Sequence, residues 1–172
     1  MDLQSLLNKW KIKADINVLL GMWNESHRSW HTLDHLNDLI SQINENKSLY
    51  SQKEYEKLLI ASLFHDCVYE PMSQDNEEKS ADFFVECCAD KNSDILEIKQ
   101  IILDTKTHKS ETKLSEAFNN YDMNIVERDF NQLLQWESGI HAEYKQVGTE
   151  KYKEGRLKFL ESLLDKYVDN TD

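Results

Sequence analysis

Proline occurs once in this chain, at Pro71, and glycine four times, at Gly21, Gly139, Gly148 and Gly155. A protein of strands and tight turns needs more of both, because proline presets turn φ angles and glycine supplies positive ones. Their scarcity favours helices. Positive charge is also short: 20 Lys and Arg stand against 32 Asp and Glu, a formal net charge of −12. Binding to DNA or RNA draws on clustered Lys and Arg, so the balance argues against a nucleic-acid polymer as partner. A small anionic substrate stays compatible, since a bound cation reverses the local field of an acidic protein. No run of about 18 apolar residues occurs, and MDLQSLLNKWKIKAD at the start lacks an apolar stretch of signal-peptide length. The expectation is a soluble, cytoplasmic protein with no membrane partner. Three cysteines, Cys67, Cys87 and Cys88, are an odd number with two adjacent. That suits buried thiols in a reducing compartment better than a disulfide framework. Oligomeric state is left open.

With 40% apolar and 10% aromatic residues, 172 residues are enough to bury the core of one domain, expected to span 1–172 with a frayed tail at 169–172. Apolar positions recur with helical spacing at Leu3, Leu6, Leu7 and Trp10, at Leu36, Leu39, Ile40 and Ile43, and at Leu157, Leu160, Leu163 and Leu164. The fold class read from this pattern is all-α, a single-domain helical bundle. Helices are predicted over 3–12, 14–26, 30–45, 52–65, 75–90, 94–106, 121–135, 137–147 and 150–167. Loops fall at Asn44 to Ser51, Tyr69 to Asp75 and Lys106 to Ser115.

The segment LLIASLFHDCVYEPMSQDNEEKSADFF is the most informative, because an apolar helix ends on the adjacent pair His65 and Asp66 as it meets a polar loop. An unpaired carboxylate beside a core is costly, and a metal ion is a natural partner for it. The plainer reading is a cap or a buried hydrogen-bonded pair. Upstream, in HRSWHTLDHLNDLI, His27, His31 and His35 recur every four residues and share a face if the stretch is helical. Imidazole suits borderline divalent metals, and Arg28 lies close enough in sequence to His31 to hold a phosphate oxygen or to form a salt bridge. A last acidic ligand would come from a later helix, either Asp104 or Asp122, and position within an apolar–polar helical stretch favours Asp122.

These residues resemble the HD-domain superfamily of metal-dependent phosphohydrolases, whose pattern is a His, then an adjacent His-Asp pair, then a distant Asp. The chain is similar in particular to a bacterial group of predicted HD hydrolases of about this length. That group carries Arg-x-aromatic-His-Thr-Leu-x-His, here Arg28 to His35, and Phe-His-Asp-x-Val-Tyr, here Phe64 to Tyr69. Asn-Glu-x-x-Ser-Ala follows at Asn76 to Ala81, and Thr-x-x-His at Thr105 to His108. Ala142-Glu143-Tyr144 and Gly155-Arg156 match its final helices. One departure is Asn120 where the group tends to have the first of two acidic residues; the second is Asp122.

The resemblance implies an HD-type helical domain that binds one divalent metal ion through His31, His65, Asp66 and Asp122. Mn, Fe, Co, Ni, Zn and Mg all suit mixed imidazole and carboxylate ligands. It further implies hydrolysis of a small phosphate ester such as a nucleotide, with Asp66 and Glu77 catalytic and Arg28, His108 and Arg156 binding the phosphate. Asp75-Asn76-Glu77-Glu78 also reads as an ordinary acidic helix start. Tyr69, Trp30 and Tyr144 are either a stacking wall or core packing. Two other functions are carried along: an HD-fold di-iron oxygenase, needing further histidines such as His35 and His108, and a non-enzymatic, metal-stabilised module that binds a nucleotide or partner.

Overall fold

The computed structural model describes residues 2–168, so the tail expected at 169–172 lies outside the described residues. Nine α-helices form among them: α1 Leu3–Lys9, α2 Ile16–Trp23, α3 Leu33–Glu45, α4 Gln52–Phe64, α5 Asn76–Cys87, α6 Ser93–Asp104, α7 Lys113–Asp122, α8 Phe130–Glu143 and α9 Thr149–Val168. Strand-like pairing among the described residues amounts to one isolated bridge, Ile12 to Cys88. The all-α expectation therefore holds. No described helix is long and apolar enough to cross a membrane.

Helix α4 is the axis. Ser51 and Glu54 close a capping box at its start, and every residue from Tyr55 to Phe64 is buried, as a helix surrounded by others requires. It packs against α3, α5, α6 and α7, and their apolar faces meet it in one buried cluster that runs from Leu6 to Phe118. Trp136 and Ile140 of α8 are buried outside that cluster.

Glu56 and Lys57, although charged, are also buried on α4. Lys9 and Trp10 each donate to the Glu56 carboxylate at 2.7–2.8 Å, and Gln52 donates at 2.7 Å. Burial works against its charge, but these donors prevail and hold its pKa below the usual glutamate value of 4.5. The charged form thus contributes stability above pH 4.5 that is lost as pH falls through the lower folded value. Glu56→Gln is expected to flatten the acid limb of a stability–pH curve measured by urea unfolding; an unchanged limb would show that the pairing contributes nothing.

Three predicted helices are redrawn and one is missed: the helix expected over 137–147 is the second half of a continuous α8, and α7 starts at Lys113, inside an expected loop. The expected helix over 30–45 begins only at Leu33, with Thr32 as its extended N-cap. The reason is tertiary: the backbone N–H groups of Ser29, Trp30 and His31 donate to Glu143 rather than joining a helical ladder. His27 and His31 therefore precede the helix, and the histidine ladder is not a helical face. The expected helix over 121–135 is instead the end of α7, a 3-10 turn at Asn124–Glu127, and the start of α8. Asp129 interrupts it by forming a capping box with Gln132, a start signal hidden inside an apolar periodicity. Asp122 is consequently the last residue of α7, as Asp104 is the last of α6.

Candidate metal centre

The C-terminal end of α4 organises the site, because a helix end leaves carbonyls that need donors. His65 Nδ1–H donates to Ser62 O at 3.1 Å, and the Trp23 indole N–H donates to Leu63 O at 2.9 Å. Arg28 donates to Asp66 O at 2.8 Å and to Cys67 O at 3.1 Å. With Nδ1 spent in this way, the neutral His65 ring points its Nε2 lone pair the other way. That atom is buried with no hydrogen-bond partner, 3.4 Å from Asp66 Oδ2 and 3.5 Å from Asp122 Oδ1.

A lone pair facing two carboxylates requires a cation between them, either a proton or a metal ion. Burial opposes charge on His65, yet the Asp66 and Asp122 carboxylates overcome it and lift the ring to about 9. Asp122 moves the opposite way: burial would raise it, and the hydrogen bonds from His108 and His35 with the nearby His65 charge hold it well below the usual carboxylate range.

Four imidazoles and two carboxylates converge here. His35 Nε2 lies 3.0 Å from Asp122 Oδ1, His108 Nε2 lies 3.2 Å from Asp122 Oδ2, and His31 Nε2 lies 4.0 Å from Asp66 Oδ2. One donor atom each from His35, His65 and Asp66 falls within a 4.8 Å cluster able to hold a metal ion. The donor set thus fits a divalent ion of the borderline kind. His108 reaches the cluster from a left-handed backbone, φ 50°, which costs strain in a residue with a side chain. Its loop is pinned by Asn119 Nδ2–H to Ser110 Oγ at 2.7 Å and by Lys106 Nζ to Gln74 O at 2.6 Å.

Of the four residues expected to ligate, His65 and Asp66 lie in that cluster together with His35, while Asp122 lies 3.5 Å from His65 and His31 lies 4.0 Å from Asp66, with His108 against Asp122. Asp104 takes no part; it accepts from Gln100 at 2.7 Å and from Ser115. Arg28 is a correction. All five of its N–H groups are used, on Glu25 twice and on the carbonyls of His31, Asp66 and Cys67, and its side chain is fully buried between Trp23 and Tyr69. It is a fastener, with no donor left for a phosphate.

Arg156 donates through Nε to Glu137 at 2.7 Å and covers Trp136 and Phe159, which joins α9 to α8, while its Nη2 is buried with no hydrogen-bond partner. Glu77 stands in the first turn of α5, where burial raises its carboxyl and the neighbouring Asp66 charge adds to the rise. The Asn76 amide exchanges hydrogen bonds with the Glu70 backbone, and the Ser80 hydroxyl does so with that of Val68. These two residues hold the segment after Asp66 against α5.

The aromatic residues serve the imidazoles. Tyr69 lies on His31 with ring centroids 4.2 Å apart, Trp30 lies 5.8 Å from His35, and Trp23 and Phe118 flank His65 at 5.2 and 5.4 Å. Cys67 is buried, and that burial pushes its thiol up to about 12, which suits a core position rather than a ligand.

Two participants are given no place in the single-metal set by the sequence: His35 is read as a step of the histidine ladder and as a ligand only for the two-metal alternative, and Glu143 only as part of a matching final helix. Glu143 accepts from His31 Nδ1–H at 2.8 Å and from the Tyr69 hydroxyl at 2.7 Å, yet lies 112 residues from His31. Burial opposes its charge, and the His31 hydrogen bond leads in bringing it down to about 2. The chain matches no protein-family model, no curated protein and no solved structure.

Proposed function

We propose that this chain is a metal-dependent phosphohydrolase of the HD-domain kind, acting on a small phosphate ester such as a nucleotide. The observation that carries the reading is the buried, unpartnered Nε2 of His65 aimed at Asp66 and Asp122. In this reading His31, His65, Asp66 and Asp122 hold one divalent ion. Such an ion, when bound, acidifies a water molecule and polarises a phosphoryl oxygen. Two imidazoles and two carboxylates leave coordination positions open for both.

The chain's own residues supply the rest. Glu77, its carboxyl raised by burial, retains a proton nearer to neutral pH than an exposed glutamate and serves as donor to the leaving oxygen. His108, at the end of its pinned loop, meets the phosphate, and Arg156 adds positive potential felt at Tyr144. Tyr69 keeps the His31 ring from turning, and Trp23 and Phe118 do the same for His65.

A second reading has its own observation: His35 and His108 both lie on Asp122, giving the further histidines that a di-iron oxygenase needs. Metal analysis joined to an aryl phosphate and nucleotide screen decides. The expected result is one divalent ion per chain and phosphate release abolished by chelation. Two redox-active irons per chain without phosphate release would favour the oxygenase. A metal-loaded protein that turns over nothing would favour a binding module.

A further inference from the structure

Glu143 ties the end of α8 to the site. Glu143, at the end of α8, is fully buried at its carboxylate, and five donors fill both oxygens. Oε1 accepts the consecutive backbone N–H groups of Ser29, Trp30 and His31 at 2.8, 2.7 and 3.0 Å. Oε2 accepts His31 Nδ1–H at 2.8 Å and the Tyr69 hydroxyl at 2.7 Å. An ionised carboxylate can only accept, so the bond at Oε2 requires the hydrogen of His31 to sit on Nδ1. Nε2 is then left as the lone pair on the side of Asp66.

One helical turn earlier, Gly139 allows the approach. A Cβ there would come within 3.1 Å of Trp30 Cβ and 3.2 Å of Ser29 O. Gly139 and Glu143 are four residues apart and share the face of α8 that meets the 29–31 segment.

We propose that Glu143 is a positioning residue for the metal centre: it sets both the place and the tautomer of His31, so that metal affinity depends on the docking of α8. This rests on the metal reading above. A carboxylate that merely anchored a loop would need the three backbone bonds but not the bond to Nδ1. Glu143→Gln separates the two roles. Its amide oxygen can keep the backbone N–H groups, while its NH₂, a donor, faces Nδ1 and drives the ring hydrogen to Nε2.

The test is a zinc competition titration of wild type and Glu143→Gln, with nitrogen NMR of the zinc-loaded wild type. Glu143→Gln is expected to weaken zinc binding by about 10–100-fold, the usual cost of losing a group that orients a ligating imidazole. His31 in the loaded wild type is expected to carry its hydrogen on Nδ1. Unchanged zinc affinity in the variant overturns the proposal. If the variant does not fold, the wild-type spectrum still decides, since a His31 ring protonated on Nε2 overturns it as well. A wild type that binds no zinc sinks the metal centre itself, and that failure is visible before any substitution is made.

Discussion

Asp66→Ala is expected to abolish metal-dependent phosphate release, by more than the roughly 100-fold that loss of an outer supporting group costs. The helices should still form. Asp66 lies just past the end of α4, its side chain is 13% exposed, and the structural bond to Arg28 uses its backbone carbonyl, which alanine keeps. His65 is a poorer choice for the same test, because its ring is packed between Trp23 and Phe118 and its loss opens a hole in the core. Bound metal should fall with activity, read by elemental analysis, while far-ultraviolet circular dichroism stays that of the wild type. Normal turnover in Asp66→Ala would refute the site.

Arg28→Ala should act on stability first. Removing the guanidinium strips the donors from three carbonyls, those of His31, Asp66 and Cys67, and leaves Glu25 without its cation. Glu25 is 44% exposed, so the main cost is the three unsatisfied carbonyls, at about 1–3 kcal/mol each and roughly 3–5 kcal/mol together. At roughly 2–4 °C per kcal/mol for a domain of this size, Tm should fall by about 6–20 °C in a thermal melt. Arg28→Lys should recover only part of it, since an ammonium group cannot reproduce the planar fork. A variant with unchanged Tm and a raised KM would restore Arg28 as a phosphate binder.

Much of the architecture is local in origin and was readable. The paucity of proline and glycine and the apolar spacing point to helices, and His65 with Asp66 at the end of an apolar helix marks the site. The errors share a cause. The helix expected over 121–135 reads as continuous because apolar spacing does not register a capping box, and Asp129 with Gln132 starts a new helix inside it. Position within a helical stretch favours Asp122 over Asp104, yet both end their helices; what separates them is that Asp122 meets His35, His65 and His108, while Asp104 meets Ser115 and Gln100.

Arg28 shows the same limit from the other side. Its residue type suits a phosphate, but its five donors are claimed by groups up to 39 residues away. By itself the sequence determined the helical class, the start of α4 at Ser51, and the residue types able to hold a cation, because propensity, capping and periodicity act within a few residues. Tertiary structure alone decided that His31 precedes α3, that His35 joins the cluster, and that Arg28 is a fastener. It also placed Glu143 behind His31, because those outcomes depend on which distant donors and acceptors the packed fold brings together, and no local pattern encodes a partner 112 residues away.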